Sequence, residues 1–292
     1  MSVVPADFES PRLRAGSPEH KRLLAEFFFA THLEYDPERI DWPRLSDEEL
    51  RRLTGLPFWQ EAVSTENVTS NTVTAAAALE ADPQLSRAIA LQGLEEQRHA
   101  RLLAALTALT AHYRIPIEFP APYAPRNLED DFLFAGFGEC FDSFFAFGLF
   151  ALARESGYFP AALVMVFDPV MEEEVRHILF FVNWVKVRRL QLPWWKRPAF
   201  RARCAWIILK QVASRAQTAR TLGGGDAPAA TRENFTLTAH QDIGAPVTLH
   251  GLLGKCLQEN DRRMAHYDAR LLRPRLVPAI ARALYRVLPK RL

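Results

Sequence analysis

A chain of 292 residues, 49% hydrophobic and 24% charged, is long enough to bury a large core, and its composition excludes wholesale disorder. Three cysteines, far apart, odd in number and without a CxxC pair, exclude a disulfide framework, a rubredoxin-type site and a zinc ribbon. The net charge of +2 points to no particular partner, although seven Lys or Arg and no acid lie between Lys186 and Arg203, and the last 32 residues are strongly basic. The opening residues, MSVVPADFESPRLRAGSPEHKRLL, place charges and prolines where a signal peptide needs an apolar run, so the expected location is the cytoplasm.

In chain order, residues 1–55 read as an N-terminal extension with short helices, one over Pro18–His32 and one capped by Ser46 in SDEEL. Residues 56–190 then read as four long helices. The first covers about Phe58–Ala81, and Asp82-Pro83 restarts the chain as an N-cap followed by proline, opening a second helix to about Tyr113. Four prolines hold open the connection to a third helix, Leu128–Ser156, ended by Gly157. The fourth covers about Pro160–Leu190, and Pro169 inside it predicts a kink or a division. Residues 191–292 add further helices, from about Ala199 to Leu222 and from Thr248 onward, separated by the loop GGGDAPAA; all of this is expected to pack as one structural domain. Phe132–Ala153 resembles a membrane span, but Glu139 and Asp142 near its middle would each cost about 2.5–3.5 kcal/mol there. Such acids suit a buried metal site instead, and no transmembrane span is expected.

The chemistry lies in a repeat. Residues 95–99 read EEQRH and residues 173–177 read EEVRH. Glu96 with His99, and Glu174 with His177, therefore share one helix face. Each pair sits on an apolar stripe: Leu85, Ile89, Gln92, Glu96, His99, Leu103 and Leu106 on one helix, and Leu163, Phe167, Val170, Glu174, His177, Phe181 and Trp184 on the other. Stripes of this kind face a core, and a buried carboxylate needs a counter-charge, usually a metal ion. A two-metal site in a helical bundle needs one more carboxylate from each remaining helix. Residues equally distant from a hairpin turn lie level, which selects Glu66 opposite Glu96 and Glu139 opposite Glu174. Glu61 and Asp142 are weaker rivals, and Glu80 and Glu155 lie beside their turns, roughly 20 Å away. A single ExxH is common on ordinary helices; the pair, each with a level glutamate, is what carries the argument.

From about Phe58 to Leu190 the chain resembles the ferritin-like di-iron carboxylate superfamily, with EEQRH and EEVRH similar to the paired pentads of acyl-carrier-protein desaturases, rubrerythrins and bacterial multicomponent monooxygenases. The resemblance implies an all-α, ferritin-like four-helix bundle binding two iron ions through Glu66, Glu96, His99, Glu139, Glu174 and His177. It further implies that Glu95 and Glu173 support the histidine of the opposite motif; an exposed helix charge is the competing reading for each. A radical tyrosine is replaced by Leu103, a seventh ligand histidine by Val170, and no cysteine pairs exist for a rubredoxin domain. What remains is an oxygenase or oxidase that uses O2 as co-substrate and an external electron donor to oxidise a small apolar, aromatic or acyl substrate. The alternative is an iron-storage or peroxide-scavenging protein, and a metal-free helical scaffold is a third reading. Ser143, one turn after Glu139, stands where monooxygenases of this superfamily carry a hydroxyl near the O2 site, which makes it a candidate proton relay. Gly136, Phe137 and Phe144 are expected to line a substrate pocket around Glu139, although such glycines also permit close helix packing. Trp194, Trp195 and the basic C-terminal helices form a face for an acidic carrier protein or an anionic membrane, or else the tryptophans cap the bundle beside solvated arginines. No nucleic-acid partner is expected, and a homodimer is compatible with this reading.

Overall fold

The structure, a computed structural model, describes residues 13–56, 59–108, 127–222 and 248–288. Among these the protein is all-helical, with no strand. The helices are α1 (Pro18–Ala30), α2 (Asp47–Thr54), α3 (Trp59–Ala77), α4 (Pro83–Ala108), α5 (Leu128–Ser156), α6 (Ala161–Met165), α7 (Asp168–Gln191), α8 (Arg197–Leu222), α9 (Leu249–Met264) and α10 (Leu276–Val287). The loop GGGDAPAA and the prolines between residues 116 and 125 lie outside the described residues.

Local signals set most of these boundaries. The Ser17 hydroxyl accepts from the His20 amide ahead of α1, and Ser46 with Glu49 forms a reciprocal capping box on α2. The Asp82 carboxylate accepts from the amides of Gln84 and Leu85 at 3.1 and 3.4 Å, starting α4. At the start of α5, Asn127 caps while Glu129, Asp130 and Asp131 oppose the helix dipole; at its end Gly157 takes φ +63°, a left-handed conformation that glycine adopts freely. Pro169 divides the predicted fourth helix. It sits in the first turn of α7, where no amide donor is required, and α6 is left as a separate short piece.

Helix α3 lies along α4, α5 packs beside α3 and α7, and α4 reaches α7, so these four surround a common interior. Helix α1 crosses α4 and α7 on the outside, α8 covers α5 and α7, and α9 lies along α5 with α10 behind it. Helix α5 is long and apolar enough to cross a membrane by length and composition, but 67% of its most apolar window is buried within the protein. All three cysteines are free and buried, and burial pushes the thiols of Cys140 and Cys256 up to about 12, so neither supplies a thiolate at neutral pH.

The glycines of α5 serve close packing. A Cβ on Gly148 would lie 2.8 Å from the backbone nitrogen of Cys256, so α9 rests directly on the α5 backbone. Gly148→Ala is therefore expected to destabilise the protein by about 1–3 kcal/mol, because overpacking outweighs alanine's better helix propensity. Urea denaturation measures this directly, and an unchanged midpoint would contradict it.

Candidate metal centre

The two apolar stripes bring their polar members to one place. Glu96, His99, Glu174 and His177 are all buried, and the imidazole rings of His99 and His177 lie 5.7 Å apart. Glu66 of α3, Glu96, His99 and Glu174 each offer a ligand atom, and these atoms lie within 4.8 Å of one another. His99 Nδ1 is 3.5 Å from Glu66, 3.6 Å from Glu96 and 3.4 Å from Glu174. His177 Nδ1 is 2.9 Å from Glu96 Oε1. Glu139 of α5 and His177 lie outside that group of four; Glu139 lines the same cavity as Glu66, His99 and Glu174.

A second layer fixes the imidazoles. His99 Nε2 lies 2.9 Å from Glu173 Oε2, and His177 Nε2 lies 2.7 Å from Glu95 Oε2, so each pentad's first glutamate holds the histidine of the other pentad. A proton held on each Nε2 leaves each Nδ1 with a lone pair directed at the centre. Those two Nδ1 atoms and Glu96 Oε2 are buried without a hydrogen-bond partner. Such ligand atoms gathered around one small volume could hold a metal ion, which would compensate their desolvation. The donor set of imidazole and carboxylate suits iron, manganese or zinc.

Arginines neutralise the second layer. Arg176 Nη1 donates to Glu95 at 2.9 Å, and Arg98 pairs with Glu173. Beyond them stand two residues that the sequence did not single out. His32 Nδ1 lies 2.5 Å from Glu95 Oε1, and the Tyr35 hydroxyl donates to Glu173 at 3.0 Å, with the Arg98 guanidinium 4.1 Å above the Tyr35 ring. Both come from the segment after α1: His32 ends the predicted Pro18–His32 helix and Tyr35 lies beyond it, and neither position gave a sign of its distant partner.

The electrostatics ask for a cation. Burial pushes the Glu66 carboxyl up to about 8, against the pull of His99. Burial, then the charges of Glu174 and Glu96, holds Glu139 well above the usual carboxylate range. For Glu95, burial works upward but the hydrogen bond from His177 and the charge of Arg176 bring it down to about 2. Burial disfavours the His177 cation, yet Glu96 and Glu95 raise it to about 10. Metal-free, the site therefore stores protons that a divalent ion must displace. The sign follows for stability. Glu66 goes from 4.5 to about 8, which removes stability from the metal-free fold as pH rises between those values; His177 contributes stability below 6.5 that is lost toward 10. Both slopes favour binding at higher pH. Manganese or zinc affinity is expected to rise about tenfold for each proton displaced per pH unit between roughly pH 6 and pH 8. Calorimetric titration checks it, and a pH-independent affinity would contradict the proton inventory.

Beside the cluster is a cavity of about 640 Å³, lined by Glu66, His99, Glu139 and Glu174 and mostly by apolar side chains, among them Leu56, Trp59, Leu106, Phe159 and Phe167. The side chain of Glu66, 22% exposed, opens onto it. Gly136, Phe137 and Phe144 do not line this cavity, contrary to expectation. They lie on other faces of α5: a Cβ on Gly136 would overlap the Phe181 ring, Phe137 packs edge-on against Phe181 at 5.0 Å, and Phe144 belongs to the cluster with Leu252 and Cys256. The wall is made instead by Phe134, Ala135, Gly138, Ser143 and Ala146, which follow the Glu139 face at helical spacing. Ser143 is buried, and its hydroxyl donates to Glu174 Oε2 at 2.7 Å. The rival carboxylate Asp142 turns to Arg215 Nη2 at 2.6 Å, and Glu61 lines the cavity without joining the cluster of ligand atoms.

Fold and site together define a helical protein with a buried carboxylate–histidine cluster able to hold a metal ion, compatible with a ferritin-like di-iron site. Comparison with known proteins gives no family-model match, no match among curated proteins and none among solved structures.

Proposed function

We propose that this protein is a ferritin-like, non-haem di-iron oxygenase or oxidase acting on a small apolar substrate. The observation that carries the reading is the crossed pair of His–Glu hydrogen bonds, which leaves both Nδ1 atoms and Glu96 Oε2 unpartnered beside an apolar cavity. Glu66 and His99 would hold one ion, Glu139 and His177 the other, and Glu96 and Glu174 would serve both. Bound ferrous iron would supply electrons to O2, with an external reductant restoring the ferrous state. The chain's own residues do the rest. The apolar wall binds the substrate and excludes water, Glu95 and Glu173 keep the imidazoles aimed inward, and Ser143 holds one Glu174 oxygen and offers a proton beside it. A storage or peroxide-scavenging protein has no use for an apolar cavity of about 640 Å³ next to its metals, which favours the organic substrate.

The test is anaerobic loading with ferrous iron, elemental analysis, and O2 uptake in the presence of a panel of apolar acyl and aromatic compounds. About two irons per chain and O2 uptake coupled to an oxidised organic product are expected. Oxygen consumed only to form ferric mineral or peroxide would favour the storage reading and sink this one. Ser143→Ala should keep its metal yet react with O2 about 10–100-fold more slowly, the usual effect of losing a ligand's supporting hydrogen bond. Stopped-flow traces identical to wild type would retire that role.

A further inference from the structure

Helix α8 buries Phe200, Cys204, Ile207 and Gln211 against the rest of the protein, and its opposite side is unlike a solvated helix face. Trp194 and Trp195, in the turn before it, are 74% and 62% exposed, and their rings meet edge to face while belonging to no core cluster. They do not cap the helix assembly. Further along, Trp206 and Leu209 are each 59% exposed. Between and beyond them the exposed positions through 216 are alanines (199, 202, 205, 213 and 216), Pro198 and the cations Lys196, Arg201 and Lys210.

No Asp or Glu occurs from Lys186 to Leu222. Several cations of this stretch are matched from elsewhere: Arg188 and Arg203 pair with Glu129, and Arg215 pairs with Asp142. Among the described residues Lys196, Arg201 and Lys210 have no acidic partner, and Lys210 lies 5.5 Å above the Trp206 ring. Lys186 is depressed by partial burial and by the nearby charges of Arg189 and Arg201, so like charges gather here.

We infer that the outer face of α8 docks on an anionic lipid surface. Tryptophan rings and Leu209 enter the boundary between headgroups and acyl chains, and Lys196, Arg201 and Lys210 meet lipid phosphates. From Arg197, its first residue, to Lys210 the helix rises roughly 20 Å, with Trp194, Trp195 and Lys196 at its start, so these groups extend along one side of the protein. Exposed alanines lie between the projecting tryptophans and Leu209. A fluid surface receives such projecting rings without a preformed pocket, and its phosphates meet the cations at any register. The other side of the same helix lines the cavity through Gln211, Ser214 and Arg215, so α8 forms the wall between that cavity and the proposed membrane contact. The docking surface stands on the α8 face and does not require the metal reading.

The test is flotation of the full chain with vesicles of phosphatidylcholine alone and of phosphatidylcholine mixed equally with phosphatidylglycerol, at low and high salt. The combined variants Trp194→Ala/Trp195→Ala/Trp206→Ala and Arg201→Glu/Lys210→Glu are compared with Arg286→Glu on α10, and thermal melts confirm that each is folded. Binding is expected only to the anionic vesicles, weaker at high salt, with tryptophan emission shifted to shorter wavelength. Each α8 combination should lower that binding at least about tenfold, while Arg286→Glu leaves it unchanged. Absence of binding to anionic vesicles overturns the proposal, as does binding that survives both α8 combinations. Capture of purified acyl carrier protein by the α8 face, with vesicles ignored, would likewise overturn it and assign the face to a protein partner.

Discussion

If the centre holds the two ions proposed above, Glu96→Ala is expected to empty it of both and not merely to halve its metal content. Glu96 Oε1 lies 2.9 Å from His177 Nδ1, and Glu96 Oε2 lies 3.6 Å from His99 Nδ1, so this carboxylate stands between the two imidazoles. A group serving both ions cannot be removed from one alone. The loss of affinity should exceed the 10–100-fold typical of an outer supporting residue, for which Glu95→Gln is the comparison. Glu66 touches only the His99 side, so Glu66→Ala should retain part of the metal. Elemental analysis after iron loading distinguishes the cases. Two ions retained in Glu96→Ala, or equal loss in Glu66→Ala and Glu96→Ala, would contradict this assignment of roles.

The contrast between these residues shows what a sequence can reveal. Glu96, His99, Glu174 and His177 were legible because each lies on an uninterrupted apolar stripe, where a charged residue at a core position is conspicuous. The place of Glu66 in the cluster, and of Glu139 on the cavity wall beside it, needed only the added rule that residues equidistant from a turn lie level. The end of α5 at Ser156 was legible from Gly157, a local signal. The remainder depends on contacts between distant segments. His32 and Tyr35 reach the second layer from the segment after α1, 63 and 138 residues before their partners Glu95 and Glu173. The cavity wall was misplaced because phenylalanines crowd every face of α5, so aromatic content could not say which face meets the metals. Only the α5 positions in register with Glu139 do so. The two tryptophans before α8 show the converse: apolar character left a docking face and a cap both open, and the structure exposes them.

Arg176→Leu is the substitution expected to damage the fold most without touching a candidate ligand. Arg176 is buried, and its whole guanidinium is engaged: Nη1 donates to Glu95 at 2.9 Å, Nε to the Thr31 hydroxyl at 2.8 Å, and Nη2 to the Phe28 carbonyl at 2.7 Å, with the Phe28 ring 4.5 Å from its centre. It thereby ties α7 to α4 and to the end of α1. Leucine would leave the Glu95 carboxylate buried beside His177 without its permanent cation, and would orphan the Phe28 carbonyl. Breaking a buried pair in this way costs about 3–5 kcal/mol. Arg98→Leu should cost less, because Arg98 Nε already lacks a partner and Tyr35 still donates to Glu173. Arg176→Lys keeps the charge but not the three-way fork, so its loss should fall between those of Arg98→Leu and Arg176→Leu. Denaturant melts of the metal-free proteins give the order. Metal titration adds a readout that simple destabilisation would not move. If Glu95 aims His177, Arg176→Lys should weaken metal binding about tenfold or more while the protein remains folded. An Arg176→Leu protein as stable as wild type would mean that His32 and His177 alone neutralise Glu95.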